Sequence, residues 1–146
     1  MREHLYRGRC IFIGKWVFGS LLTTDGACFI SEKGKAKGWV DGDVSYSTNW
    51  AQVDPSTVGQ YTGLPDKKGV RIFEGDILSD GKVEKYVVLW MQGGWYTKYI
   101  CDECYSCDPD ENISCNKPYS QLATYALDLL EVIGNIHDNP ELLEVK

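Results

Sequence analysis

The sequence predicts an all-β fold, mainly antiparallel, with one or two short helices. Turn signals recur about every ten residues along the chain, the rhythm of short strands joined directly to one another. Five Trp and nine Tyr fit a pleated, half-buried surface better than a helix face. The 15 glycines include Asp-Gly and Gly-Gly pairs, which tolerate the positive φ of tight hairpin turns.

The elements follow in order. GKWVFGSLL places Trp16, Phe18 and Ser20 on one face, and Asp25-Gly26 turns the chain into ACFI, so 15–30 reads as a hairpin. Cys10 and Cys28 lie in the apolar runs CIFI and ACFI, read as strands, and are expected to be small buried hydrophobes. Lys33, Lys35 and Lys37 in EKGKAKG mark a solvated hairpin tip, GWVDG is a short strand after it, and SYSTNWAQ (45–52) reads as a loop.

The densest punctuation is VDPSTVGQYTGLPDKKGVRIFEGDIL over 53–78. LPDKKG is a Pro-Asp turn, and VRIFEGDIL is a strand with Val70 and Ile72 on one face and Phe73 on the other. Gly75 is expected to bend that strand through a bulge or a positive φ, with Asp76 accepting turn N–H groups. Asp80-Gly81 and Gly93-Gly94 then make an antiparallel meander, whose middle strand, with Val87, Val88, Leu89 and Trp90, calls for cover on both faces. In SQLATYALDLLEVIGNI, Leu122, Tyr125, Ala126, Leu129, Leu130 and Ile133 fit a helical period, while β-branched Val132-Ile133 and Gly134 also read as a strand; it is divided into a helical turn over about 119–126 and a strand over about 129–137. Asn139-Pro140 begins a one-turn helix over PELL.

A chain of 146 residues suits one domain, with enough surface buried to stand without disulfides. It carries a net charge of −6 and a pI near 4.9, which disfavours duplex nucleic acid as a partner, because phosphate binding needs a positive surplus. The N-terminus MREHLYRGRCIFIGKW lacks a signal peptide's apolar core, and no apolar run reaches membrane-spanning length. A soluble, intracellular (cytoplasmic) protein with no membrane partner is expected.

CDECYSCDPDENISC holds Cys101, Cys104, Cys107 and Cys115 at spacing C-x2-C-x2-C-x7-C. Four thiolates suit one Zn2+ in number, while the spacing departs from the paired C-x2-C of zinc knuckles and from iron–sulfur runs. A zinc site, a loop of free thiols and a redox-active or disulfide loop all stay open, and no cofactor other than zinc is expected. Catalysis is not expected. The two histidines, His4 and His137, face no nucleophile in a recognisable pattern, and no phosphate-binding, nucleophile-elbow or metalloprotease motif is present. Glu74 and Asp76 read as turn residues rather than as an acid–base pair.

VGQYTGL, D-K-x-G, I-x-EGDI and EVIGNI-x-x-NPELL, with the early YRGRCIFIGKWVFGSLL, closely resemble the YopX family of prophage and bacteriophage proteins. The resemblance covers most of a single domain spanning 1–146, with 101–118 as a variable Cys-rich insertion. It implies small barrel- or sandwich-like β subdomains, homo-oligomer formation and no assigned catalytic residues. Any shared binding surface is expected at Gln60, Tyr61, Glu74 and Asp76. The function expected is binding or assembly by an intracellular phage-type protein of unknown biochemical activity, joined to itself and to an unidentified protein. The alternative is a zinc-binding adaptor that contacts a host protein or single-stranded nucleic acid through the Cys-rich loop.

Overall fold

In the computed structural model the described residues are 3–32, 50–100, 119–122 and 126–144. Every strand pair among them with a defined register is antiparallel, as the turn spacing predicts. The chain divides into two compact units, Met1–Tyr61 and Thr62–Lys146.

The first unit is built from β1 (Tyr6–Arg9), β2 (Trp16–Thr24), β3 (Ala27–Glu32) and β4 (Trp50–Val53), in the order β4-β3-β2-β1. The opening residues of β5 (Gly59–Pro65) run beside β1, with Tyr6 opposite Gln60 and Arg7 opposite Gly59. The predicted 15–30 hairpin is β2 and β3, turned at Asp25-Gly26 with Gly26 at φ 83°. Alternation sorts the two faces. Cys10, Val17, Ile30 and Val53 form a buried core, with Tyr6, Leu21, Cys28, Ala51 and Val58 packed against it. Gly8 belongs to this face because a Cβ there would lie 2.9 Å from Val53 Cβ and 3.1 Å from Ile30 Cδ1.

Two readings of this unit need correction. Residues 50–52, expected in a loop, are strand: Trp50 pairs with Ser31 and Ala51 with Ile30. Pairing with β3 outweighs the polar local composition, as tertiary context often does for strands. Of CIFI, only Cys10 takes part in a bridge, with Val53, while residues 11–13 form a turn. Cys10 is buried as expected, Cys28 is half-buried, and both are free thiols. The lysines at 33, 35 and 37, the strand read at 38–42 and residues 45–49 lie outside the described residues.

The second unit takes up the rest of β5, with β6 (Arg71–Phe73) as its neighbour, and adds β7 (Asp76–Ser79), β8 (Lys85–Met91), β9 (Gly94–Tyr99), β10 (Tyr119–Gln121) and β11 (Glu131–Asn135). The last five strands form one sheet in the order β10-β9-β8-β7-β11. Its core is Ile72, Leu78, Val88, Trp95, Leu122 and Leu130, with Leu64, Tyr86 and Val132 packed on it.

The predicted meander is present as β7, β8 and β9, but its second turn is Gln92-Gly93, at φ 49° and 77°, and not Gly93-Gly94. Gly94 begins β9, opposite Met91. Cover on both faces of β8 is incomplete: Val88 is buried, Val87 and Leu89 are half-buried, and Trp90 is 45% exposed. Val70 is exposed, while Ile72 and Phe73 are both buried. The helical turn is α1 (Ala126–Leu129), and residues 119–121, expected to be helical, pair with β9 instead. The strand read at 129–137 is shorter, with a register shift between Val132 and Gly134. PELL is a 3-10 turn, as read, but the Asn139 side chain does not cap it. No helix among the described residues is long and apolar enough to cross a membrane.

Candidate interaction surface

The glycine-rich stretch resolves into turns locked by buried side chains. In LPDKKG, Asp66 is 4% exposed, and its Oδ1 accepts the N–H groups of Lys68 and Val70, both at 2.8 Å. Its Oδ2 accepts the Val132 N–H at 3.0 Å, while the Lys67 N–H donates to the Leu130 carbonyl at 3.1 Å. One carboxylate thus closes its own turn and holds the start of β11 against it. Burial acts to raise its pKa, but the N–H groups of Val132, Val70 and Lys68, aided by the Lys68 charge, outweigh it and hold the carboxyl below its usual value. Glu131 lies 2.8 Å from Lys68 Nζ and 3.4 Å from Lys67 Nζ; its bond to Lys68, against some desolvation, lowers its pKa.

The EGD turn is fastened in the same way. Gly75 has φ 82°, a conformation that costs a residue with a Cβ but not glycine. Asp76, 1% exposed, accepts the Phe73 N–H at 2.8 Å through Oδ2. The Gly75 N–H donates to the Val88 carbonyl and the Gly75 carbonyl accepts the Ile136 N–H, both at 2.9 Å. In GNIHDNP, Asn135 Oδ1 accepts the His137 and Asp138 N–H groups at 3.0 Å, and Asn135 Nδ2 donates to Asp138 Oδ2 at 3.0 Å. Asn139 Oδ1 accepts the Asn135 N–H at 3.3 Å and sits where a Cβ on Gly134 would fall.

Of the residues expected to form a binding surface, Asp76 is therefore committed to its turn and Glu74 lies half-buried beside it. Gln60 is half-buried and Tyr61 is buried, its N–H donating to the Leu5 carbonyl at 2.8 Å. Gln60 and Tyr61 belong to the first unit and Glu74 and Asp76 to the second. Cys101, Cys104, Cys107 and Cys115 lie outside the described residues. Among the described residues no group of three or more His, Cys, Asp or Glu is placed to hold a metal ion.

Among the described residues, the longest run of consecutive exposed apolar side chains is one the sequence reading misplaced. Ile11, Phe12 and Ile13 form the turn between β1 and β2 and are 50%, 78% and 64% exposed. The turn is tightly held. The Gly14 N–H donates to the Cys10 carbonyl and the Cys10 N–H to the Lys15 carbonyl, both at 2.9 Å, and the Ile11 N–H donates to the Gln52 carbonyl at 3.1 Å. Below the tip, β1 and β2 pair Arg9 with Trp16 and Arg7 with Phe18 on the face away from the core. The Arg7 and Arg9 guanidinium carbons lie 4.9 and 5.5 Å from the Trp16 ring centroid, within cation–π range. Exposed Phe18 and Leu22 continue that face along β2. Three successive apolar residues without alternation, followed by Gly14-Lys15, were the available signal that CIFI is not all strand.

These features can be set beside known proteins. The family described as YopX protein matches residues 15–144. Among solved structures, the crystal structure of protein EF1440 from Enterococcus faecalis is similar at 23% identity and a TM-score of 0.52, covering 99% of this chain and 100% of that one. That likeness bears on the fold alone. No curated protein matches the chain.

Proposed function

Because the chain belongs to the YopX family, matched over residues 15–144, we propose that it acts by binding and assembly rather than by catalysis, as a homo-oligomer. The setting proposed is the cytoplasm of a bacterium carrying a phage or prophage, with a further protein as partner. The observation that carries this reading is the Ile11–Phe12–Ile13 turn: three bulky apolar side chains 50%, 78% and 64% exposed on a hydrogen-bonded scaffold. Monomeric proteins expose such residues singly, and contiguous exposure marks an interaction surface. The commitment of Asp76 to its own turn supports the non-catalytic side, since a carboxylate 1% exposed and bonded to the Phe73 N–H is not open to a substrate proton. The net charge of −6 argues against duplex nucleic acid as the partner.

Native mass spectrometry of protein purified under mild reduction without chelator tests the reading. A multiple of 16.5 kDa without added mass is expected. One zinc per chain, lost when Cys101, Cys104, Cys107 and Cys115 are changed to Ser, would replace it with the zinc-adaptor reading.

A further inference from the structure

We propose that the Ile11–Phe12–Ile13 turn is a plug that docks onto the acidic second unit of another copy of this chain, a head-to-tail contact. The inference rests on the reading of the protein as self-assembling, and it names the surface and its mate.

The turn has the form of a prepared ligand. Its backbone is closed by Gly14 N–H to Cys10 carbonyl and Cys10 N–H to Lys15 carbonyl bonds and is tied to β4 by Ile11 N–H to Gln52 carbonyl. Little backbone ordering entropy remains to be lost when its side chains are covered, which favours association. Phe12, at 78% exposure the most open of the three, contributes little to the folded chain and much to whatever buries it.

Charge selects the mate. Lys15, next to the tip, is exposed, while the nearby acidic residue, Asp54, whose N–H donates to the Arg9 carbonyl, has its Oδ1 engaged by the Ser56 N–H and hydroxyl. The first unit has seven Lys and Arg against six Asp and Glu, a net of +1; the second has eight against fifteen, a net of −7. A symmetric contact of tip on tip would bring Lys15 against its own copy, and like charges across an interface are disfavoured. A basic-flanked apolar tip is complementary to an apolar surface with acidic neighbours. The second unit has that composition at its 3-10 turn, where Leu143 is exposed between the exposed Glu141 and Glu144. Contacts between unlike surfaces propagate into closed rings or open filaments.

Two variants and their mixture test this by size-exclusion chromatography with light scattering, at low and high salt, with circular dichroism confirming the fold of each. Phe12→Asp removes the plug, and Phe12→Ser repeats the test without adding a charge. Glu141→Lys with Glu144→Lys removes the acceptor charge. Expected are an oligomer for the natural chain, weakened by salt, and a monomer for each variant. Mixing the two kinds of variant should give a species of two chains and none larger, because one intact plug meets one intact acceptor. An oligomer unchanged by Phe12→Ser would overturn the plug while leaving self-assembly standing. A natural chain that is monomeric throughout would remove the self-assembly reading and this inference together. A Glu141→Lys with Glu144→Lys chain that still self-associates through Phe12 would point to a symmetric tip contact, and either that result or variants that stay monomeric when mixed would overturn the head-to-tail mate. Phe12-dependent sedimentation of a monomeric natural chain with phosphatidylglycerol vesicles would make a lipid surface the occupant and overturn the proposal.

Discussion

The two compact units close their turns by different means. In the first, hairpin geometry does most of it: Asp25-Gly26 turns β2 into β3, and backbone bonds close the Cys10–Lys15 turn. Among its described residues, side-chain locks gather at one turn, where Asp54 Oδ1 accepts the Ser56 N–H at 2.9 Å and the buried Thr57 hydroxyl accepts the Arg9 N–H at 2.9 Å while donating to the Asp54 carbonyl at 2.7 Å. In the second, buried polar side chains stand at the junctions: Asp66 between the LPDKKG turn and β11, Asp76 inside the EGD turn, and Asn135 at the end of β11. A carboxylate that accepts several N–H groups fixes a turn firmly but makes it titratable. The second unit should therefore be specified by a few irreplaceable side chains and sensitive to acid, and the first by its small apolar core.

The sharpest way to break the second unit is Asp66→Ala. It strands the N–H groups of Lys68, Val70 and Val132, and a loss of about 4 kcal/mol is expected from urea denaturation, given roughly 1–3 kcal/mol for each buried group left without its partner. Asp66→Asn, which keeps an acceptor oxygen, should lose about half of that. A cost below about 1 kcal/mol for Asp66→Ala would show that the lock is dispensable.

The counterpart in the first unit is Ile30→Ala, which empties the centre of the Cys10, Val17, Ile30 and Val53 core. A loss of about 3 kcal/mol is expected by the same measurement.

Acid should separate the two units. The folded-state pKa of Asp66 is lowered, so its contribution is complete above the unfolded carboxylate value of ~3.9 and is lost as pH falls through the depressed folded value. Amide exchange below pH 4 should release the Val70 and Val132 N–H groups before the β2–β3 ladder, and Asp66→Asn should flatten the pH dependence. Release of both regions together at every pH would show that the two units do not differ in their sensitivity to acid. Phe12→Ser sits at the small end, with stability expected to stay within about 0.5 kcal/mol because the ring is not part of a core.

The sequence carried the architecture well where period-2 patterns met turn residues with one conformational meaning. Asp25-Gly26, Gly75 and the Asp76 acceptor could be read directly, because few residues tolerate φ 82–83° or return a carboxylate to a neighbouring N–H. What escaped depends on distant partners. Trp50 became a strand residue through β3, and Tyr119–Gln121 through β9. The reach of Asp66 to Val132, across 66 positions, leaves no local trace. Residues 11–13, expected in a strand, form a turn for a related reason. An apolar triplet looks the same whether it is destined for a core or a tip, and only the closing bonds of Cys10 and Gly14 decide. Gln60, Tyr61, Glu74 and Asp76 drew attention as polar and aromatic residues in a dense motif, but three of their neighbours there, Asp66, Gly75 and Gly69, serve the turns themselves.

The pairing of β11 with β7 has a consequence for how the protein is made. Ile77 faces Gly134 and Asp76 faces Asn135, so one edge of the second sheet is contributed by residues far downstream of the strand they complete. At translation rates of about 5–20 residues per second, some 3–11 seconds separate synthesis of β7 from synthesis of its mate. Through that interval the nascent chain carries Ile77 and Leu78 with an open row of backbone donors and acceptors, the kind of edge that captures a wrong strand. A pause that lengthens the delay should lower the soluble yield, and supplying residues 126–144 as a separate peptide during synthesis should recover part of it.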